Sequence, residues 1–277
     1  MTPVARIARF SLTSADPATL ARFYVDALGF TPVAVLQEEA EPYGVPGLAT
    51  IHRLRLGAQE IELVGFEQQG APYPEGSTSH DAWFQHLALV APDMTAAHTR
   101  LARTPGWQAI TRGGTPVQLP DSSGGVIAFK FRDPEGHPLE LLSFPADSTP
   151  ASWRYVQGAG PCLGIDHSAI AVADGARSLA FYEALGLAVS ARSLNQGPAQ
   201  ETLDAATGVA VDVTGLSFPD ATPHLELLAY RTPSVRPGAI APADVACTRS
   251  VMIAPQPAKA GGMLTDPDGH RILLATG

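Results

Sequence analysis

The strongest constraint on the fold is a short sequence frame that occurs four times along the chain. Each copy opens with a strand-like segment. In the first three copies an aspartate follows seven residues after the first residue of that segment. The opening segments are residues 9–12, 86–89, 167–170 and 249–254. A repeated unit of this kind is one supersecondary module, which buries its apolar face against a neighbouring module. We therefore expect four related modules, of which the fourth is shortened.

The first module shows the order of elements most clearly. Residues 7–14 alternate like a strand, and Asp16 followed by Pro17 is typical of a helix N-terminus. Apolar residues then recur at helical spacing up to Gly29, a residue that suits the position just after a helix. Three further strands are expected after this helix. The module is thus predicted to be a βαβββ unit.

The other modules repeat this order with variations. The pattern predicts a helix at roughly residues 94–103 in module two, and a helix capped by Asp174 in module three. In module four only the first and last strands are recognisable. Residues 256–257 and 261–262, rich in glycine and proline, stand where its helix should be.

The predicted fold class is α+β, with the βαβββ modules arranged in tandem as two halves. The halves are residues 1–146 and 160–277, and the best linker lies near residues 145–150. A chain of 277 residues is long enough to bury two ample cores.

Composition restricts the partners and the compartment. The net charge of −9 argues against a nucleic acid or an anionic membrane as partner. No run approaches the length of a membrane span, and residues 1–6 do not resemble a secretion signal. Cys162 and Cys247 are the only cysteines, too few for a disulfide framework. We therefore expect a cytoplasmic protein with a small-molecule partner, either as a monomer or as a homodimer.

Two modules carry a histidine at the start of the first strand and a glutamate in the last strand. The pairs are His86 with Glu140 and His167 with Glu226. A carboxylate inside an apolar strand is costly unless it is compensated, and a divalent cation bound together with imidazole compensates it well. A single strand histidine is more often a hydrogen-bonded core residue. Two histidines in register with two glutamates favour one shared metal site.

These motifs resemble the vicinal oxygen chelate superfamily, which includes glyoxalase I, extradiol dioxygenases and the fosfomycin- and bleomycin-resistance proteins. The resemblance covers nearly the whole chain. It rests on the strand-initial histidines, the Phe-Tyr and Leu-Gly pairs at 23–24 and 28–29, the turn 133–137 and the strand 138–141. It implies that paired modules form cupped mixed sheets, whose first and last strands supply metal ligands.

The resemblance assigns ligand positions in each module. Module one has Arg9 and Glu62, and module four has Arg249 and Leu273. Only modules two and three hold the full set, which is His86, Glu140, His167 and Glu226. We therefore expect module two to pair with module three across the linker, and module one with module four. The alternative, as in the extradiol dioxygenases, pairs one with two and three with four.

The implied chemistry is metal-assisted proton transfer on a substrate with vicinal oxygens. Nickel, zinc, cobalt, manganese and iron all fit the ligands. Glu140 or Glu226 would be the general base, and His224 would be an acid–base group or a rim residue. Four ligands favour a glyoxalase-like isomerase or lyase over a ring-cleaving dioxygenase. A bleomycin-resistance-like binding protein without catalysis is the third alternative.

Other polar residues are expected to have structural roles. Arg9 should neutralise Glu62 as a partly buried ion pair. The turn histidines His137 and His270 follow the same Asp-Pro-X-Gly turn in a complete and in a degenerate module, which indicates a structural function. Pocket-lining roles are conceivable for three loop residues, which are Tyr43, His80 and Trp83.

Overall fold

The structure is a computed structural model that describes residues 3–219, 223–254 and 262–276. Module one has the predicted βαβββ order, with the elements β1 (Arg6–Thr13), α1 (Pro17–Leu28), β2 (Thr31–Glu39), β3 (Leu48–Leu56) and β4 (Gln59–Phe66). Asp16 caps α1 by accepting a hydrogen bond from the Thr19 amide. Gly29 ends the helix at a φ of 81°, in the left-handed region that favours glycine.

Modules two and three follow the same order with additions. Module two contains β5 (Gln85–Val90), α2 (Met94–Arg103), β6 (Gln108–Ala109), β7 (Val117–Gln118), β8 (Ile127–Arg132) and β9 (Pro138–Ser143). Module three contains β10 (Ile165–Ala171), α3 (Gly175–Ala184), β11 (Ala188–Gln196), α4 (Pro198–Leu203), β12 (Ala210–Ser217) and β13 (His224–Thr232). The helix α2 has the predicted bounds, and Asp174 caps α3 as predicted.

Module four is the shortened copy. It contains β14 (Thr248–Ala254), β15 (Met263–Thr265) and β16 (Arg271–Thr276), of which β15 was not predicted. The residues that were expected to replace its helix, 256–257 and 261, lie outside the described residues.

The strands form two sheets, and each sheet joins an early module to a late one. The first runs β15-β16-β14-β1-β4-β3-β2 and so combines modules one and four. The second runs β11-β12-β13-β10-β5-β9-β8-β6 and combines modules two and three. The central pairs, β1 with β14 and β5 with β10, are antiparallel. The cross-linker pairing is therefore confirmed and the alternative pairing is wrong. The division into halves near residue 150 stays a prediction.

One hydrophobic core joins the helix-covered faces of both sheets. It takes alternate residues of the strands, such as Leu87 and Leu89 of β5, and packs them with helix residues such as Leu20, Leu101 and Tyr182. Because strand side chains alternate, the even-numbered residues of β5 face into the concave side of the second sheet. No helix among the described residues is long and apolar enough to cross a membrane.

The two turn histidines tie consecutive modules together. The Nδ1 atom of His137 donates to Asp133 at 2.8 Å. Its Nε2 atom lies 2.9 Å from the carbonyl oxygen of Thr13 in β1. His270 Nε2 lies 2.9 Å from the carbonyl oxygen of Ala171 in β10. Each histidine is buried and bridges two modules, which agrees with the structural role expected for it.

Candidate metal centre

The register of the second sheet places the four candidate ligands on one concave face. Ala88 of β5 lies opposite both Glu140 and His167, and Ala169 of β10 lies opposite both His86 and Glu226. Residues directly opposite each other project to the same side of a sheet. The two alanines at the centre leave open space between the four longer side chains, which are His86, Glu140, His167 and Glu226.

A cavity of about 470 Å³ lies over this face, and all four candidate ligands line it. Its walls come from β5 and β8–β13, from the short helical turn Asp121–Ser123 and from α4. A cavity of this size can enclose most of a small organic molecule. The predicted ligands therefore share one cavity.

Three of the four side chains form a compact group. The ligand atoms of His86, Glu140 and His167 all lie within 4.8 Å of one another. The Nε2 atom of His86 is 2.9 Å from Glu140 Oε2, and the two imidazole ring centres are 5.6 Å apart. Glu226 stands slightly aside, with its Oε2 3.6 Å from His167 Nε2. The arrangement is therefore three close donors with a fourth carboxylate beside them.

The state of His86 fits a metal ligand. Neither ring nitrogen has a hydrogen-bond partner among the described residues, because the close contact with Glu140 lacks hydrogen-bond geometry. Burial lowers the pKa of His86 in spite of the nearby Glu140. A neutral, buried imidazole with an unused lone pair is a suitable donor for a divalent cation.

His167 is oriented by a second carboxylate. Its Nδ1 atom donates to Asp166 at 2.9 Å, so Nε2 is the nitrogen that faces the cavity. Burial would lower the pKa of His167, but Glu226 and Asp166 outweigh it and raise the pKa to about 9. The pKa of Glu226 is lowered to about 2, because His167 and His224 outweigh the effect of burial. A bound cation would compete with the proton on His167.

His224 lies beside Glu226, as the sequence predicted. Its Nε2 atom is 3.3 Å from Glu226 Oε1, and its Nδ1 atom is 3.8 Å from Asp166 Oδ2. Its side chain is 32% exposed, whereas that of His167 is 8% exposed. His224 therefore lies between the buried carboxylate and solvent, and its catalytic role stays a prediction.

Two charged groups at the cavity were missed by the sequence analysis. Asp166 precedes His167 directly, and Lys130 interrupts the apolar strand β8. Lys130 Nζ donates to Asp204 at 2.7 Å, and both residues are buried. Burial would lower the pKa of Lys130, but Asp204 and Glu140 raise it. A lysine within the segment Ala128-Phe129-Lys130-Phe131 was the available signal.

Tyr43, His80 and Trp83 do not line this cavity. Tyr43 lies in a short helical turn and is buried against the first sheet, where its hydroxyl donates to Glu62 at 3.0 Å. The loop position of Tyr43 suggested a pocket, but an apolar ring with a buried hydrogen-bond acceptor within reach packs into the core.

Replacing Asp166 with alanine is expected to weaken divalent metal binding by about 10- to 100-fold, because a carboxylate that accepts from a ligand histidine fixes the tautomer and orientation of that histidine. Competition titration with zinc measures the effect. Asp212→Ala removes an exposed carboxylate, paired with Arg231, from the same sheet and should leave the affinity unchanged. Equal affinities of the Asp166 variant and the unmodified protein would contradict a role of His167 as a ligand.

The equivalent face of the first sheet holds an ion pair. Arg9 Nε contacts Glu62 Oε2 as predicted, and Glu62 is fully buried. Arg249 is also fully buried and donates to the hydroxyl of Thr13 at 3.0 Å and to backbone carbonyl oxygens. Leu273 stands at the position of the last ligand. A guanidinium has no lone pair to donate, so these residues are unsuited to bind a cation.

A sequence profile described as Glyoxalase/Bleomycin resistance protein/Dioxygenase superfamily matches residues 6–141 and 164–247 of the chain. The chain belongs to this superfamily. A comparison of this sequence with curated proteins found no match.

Solved structures of two other proteins share the fold. Glyoxalase I from Zea mays has a TM-score of 0.59 at 17% identity, covering 98% of this chain and 92% of that chain. A putative dioxygenase from Bacillus subtilis has a TM-score of 0.56 at 12% identity, covering 100% of this chain and 86% of that chain. At such identities the likeness shows the fold alone, and the reaction has to be argued from the site.

Proposed function

We propose that this superfamily member is a metal-dependent enzyme that acts on a small substrate with vicinal oxygens, by glyoxalase-like isomerase or lyase chemistry. The observation that carries the proposal is the convergence of two histidines and two glutamates on one cavity, with His86 lacking any hydrogen-bond partner among the described residues. Such donors are typical of nickel, zinc, cobalt, manganese and iron sites.

His86, Glu140 and His167 would hold the cation, and Glu226 would complete the set. A bound divalent cation polarises the adjacent oxygens of a substrate and acidifies the neighbouring C–H bond. Glu140 lies between His86 and Lys130, and its pKa is lowered because the interactions with these two residues outweigh the effect of burial. Glu140 is therefore suited to remain an ionised ligand.

Glu226 is the better candidate for the general base. It stands outside the compact group of three donors, so those three ligands would keep a cation in place while the Glu226 carboxylate takes a proton from the substrate carbon. His224 contacts the other carboxylate oxygen and reaches toward solvent, which suits a group that exchanges the proton. Apolar walls, including Leu142, Val213 and Leu228, limit access of water to the reacting atoms.

Replacing Glu226 with glutamine tests this role. We expect kcat to fall by about 10²- to 10⁴-fold, the usual contribution of a general base. The protein is loaded in turn with nickel, zinc, manganese and iron(II), and is assayed with hemithioacetals, catechols and 2-oxo acids. Glu183→Gln on the exposed surface of α3 is the matched control. Metal binding without turnover of any substrate would favour the non-catalytic binding protein instead.

The compact group also supports a second function, a ring-cleaving dioxygenase. Two histidines and one carboxylate within 4.8 Å resemble the ligand set of non-haem iron(II) oxygenases. Oxygen consumption with iron(II) and a catechol, and its absence with zinc, would move the assignment to this reaction. In that case the Glu226 variant should keep its metal, because the three remaining ligands suffice.

We also propose a cytoplasmic location and a small-molecule partner. Cys162 and Cys247 are both buried free thiols, which suits a reducing compartment. The acidic net charge of −9 is unfavourable for nucleic acid. Both the monomer and the homodimer remain compatible with a cup that one chain completes.

A further inference from the structure

A second polar cluster lies in the wall of the same cavity, centred on Asp204. Three side chains from three elements donate to its carboxylate. Lys130 of β8 donates at 2.7 Å, Gln200 of α4 at 2.8 Å and Tyr230 of β13 at 3.0 Å. Lys130, Gln200 and Tyr230 all line the cavity. Asp204 thus fixes the positions of three polar groups on the cavity wall.

Two of these groups have unused hydrogen-bonding capacity. An ammonium has three N–H donors, and Lys130 uses one of them with a partner among the described residues. The Oε1 atom of Gln200 is buried and has no partner in the part of the chain described. Leaving buried polar groups unpaired costs free energy, so such groups usually have a partner. Both residues line the cavity, so unused donors and an unused acceptor lie together in its wall.

The cluster is close to the candidate metal centre but separate from it. Lys130 lies directly opposite Glu140 in the pairing of β8 with β9, so both side chains project to the same face. Asp204 neutralises Lys130, which leaves little net charge at the cluster. Leu142, Val213 and Leu228 form apolar wall elsewhere in the cavity. The cavity thus offers two polar regions together with an apolar surface.

We propose that Lys130 and Gln200, both positioned by Asp204, form a second subsite that binds an uncharged polar group of the substrate, with an acceptor oxygen beside an N–H or O–H donor. A carboxamide has this chemistry, since its oxygen accepts from Lys130 and its N–H donates to Gln200 Oε1. A carboxylate fits less well, because Asp204 already neutralises Lys130 and Gln200 Oε1 repels a second acceptor. The proposal rests on the proposed function, since it assigns the other end of the same substrate.

Binding of four catechols to the metal-loaded, full-length protein tests the subsite. The probes are catechol, protocatechuate, its methyl ester and its amide, and calorimetry with the zinc form measures each Kd. The ester withdraws electrons from the ring much as the amide does, but it has no donor for Gln200. We expect the amide to bind about fivefold more tightly than the ester, the worth of one neutral hydrogen bond, and more tightly than the carboxylate.

Gln200→Met keeps the ion pair of Lys130 with Asp204 and removes the acceptor. In this variant the amide and the ester should bind equally well, whereas catechol binding should not change. The double variant Lys130→Met with Asp204→Asn removes both charges, so no unpaired buried charge remains. This double variant should weaken the binding of the ester and of the amide by the same factor, relative to the binding of catechol. Gln37→Met, at an exposed glutamine of β2 outside the cavity, is the control that should match the unmodified protein.

The two hypotheses fail in different ways. If catechol binds no better in the presence of zinc than in its absence, the proposed function is wrong. If catechol binding depends on zinc but the amide has no advantage over the ester, the subsite is wrong. An advantage of the amide that survives in Gln200→Met, or a preference for the carboxylate, also overturns the subsite.

Discussion

Replacing His167 with alanine should reduce the affinity for zinc or nickel by more than 100-fold, because loss of a ligand exceeds the 10- to 100-fold cost of losing a residue that orients a ligand. His167 is central to the proposed site. Its Nε2 atom belongs to the compact group with His86 and Glu140, and its Nδ1 atom is already committed to Asp166. Isothermal titration with metal-free protein measures the affinity, and circular dichroism checks the fold.

Two controls separate this expectation from general disruption. His98→Ala removes a half-buried imidazole that contacts the Gly114 carbonyl, outside the cavity, and should leave metal binding intact. Glu62→Gln should also leave metal binding unchanged, because Glu62 lies in the other sheet. His86→Gln should reproduce the loss seen with His167. Tight metal binding by the folded His167 variant would refute the shared four-residue site.

The pairing of modules could be predicted because the repeat register fixes which positions are equivalent. The frame that aligns His86 with His167 also aligns Arg9 with Arg249. The two modules with a complete ligand set are therefore the inner ones, two and three, and the two degenerate modules are the outer ones, one and four. The helix limits were predictable as well, because capping by Asp16 and Gly29 is a local property of the sequence. Local signals and internal symmetry therefore give the architecture.

The cavity wall could not be predicted in the same way. The helix α4 has only six residues, too few for a clear periodicity, and it is held by contacts with the other module. The Thr202 carbonyl accepts from the Arg112 amide, and Asp204, just after α4, accepts from Lys130. Such contacts join residues that are distant in sequence and have no counterpart in the repeats. The groups that we propose to distinguish substrates lie there, which explains why the sequence predicts the fold better than the reaction.

The degenerate face of the first sheet gives the last prediction, which concerns stability. Arg9→Met leaves the fully buried Glu62 with the hydroxyl of Tyr43 and with Arg53, whose nearest nitrogen is 3.5 Å away. We expect the free energy of unfolding to fall by about 3 kcal/mol, because removing one partner leaves a buried charge poorly compensated. Denaturation by urea, monitored by fluorescence, measures the change. Zinc affinity should not change, since the metal centre lies in the other sheet.

The charge itself, rather than lost packing, should cause most of this effect. Arg9→Met combined with Glu62→Gln removes the buried charge and keeps an acceptor for the Tyr43 hydroxyl, so the double variant should be more stable than Arg9→Met alone. Arg55→Met breaks a largely exposed pair with Glu60 and should cost less than about 1 kcal/mol. If Arg9→Met costs no more than Arg55→Met, the ion pair does not compensate the carboxylate. If it costs more and the double variant recovers stability, arginine serves in module one as the counter-charge that a cation would supply in modules two and three.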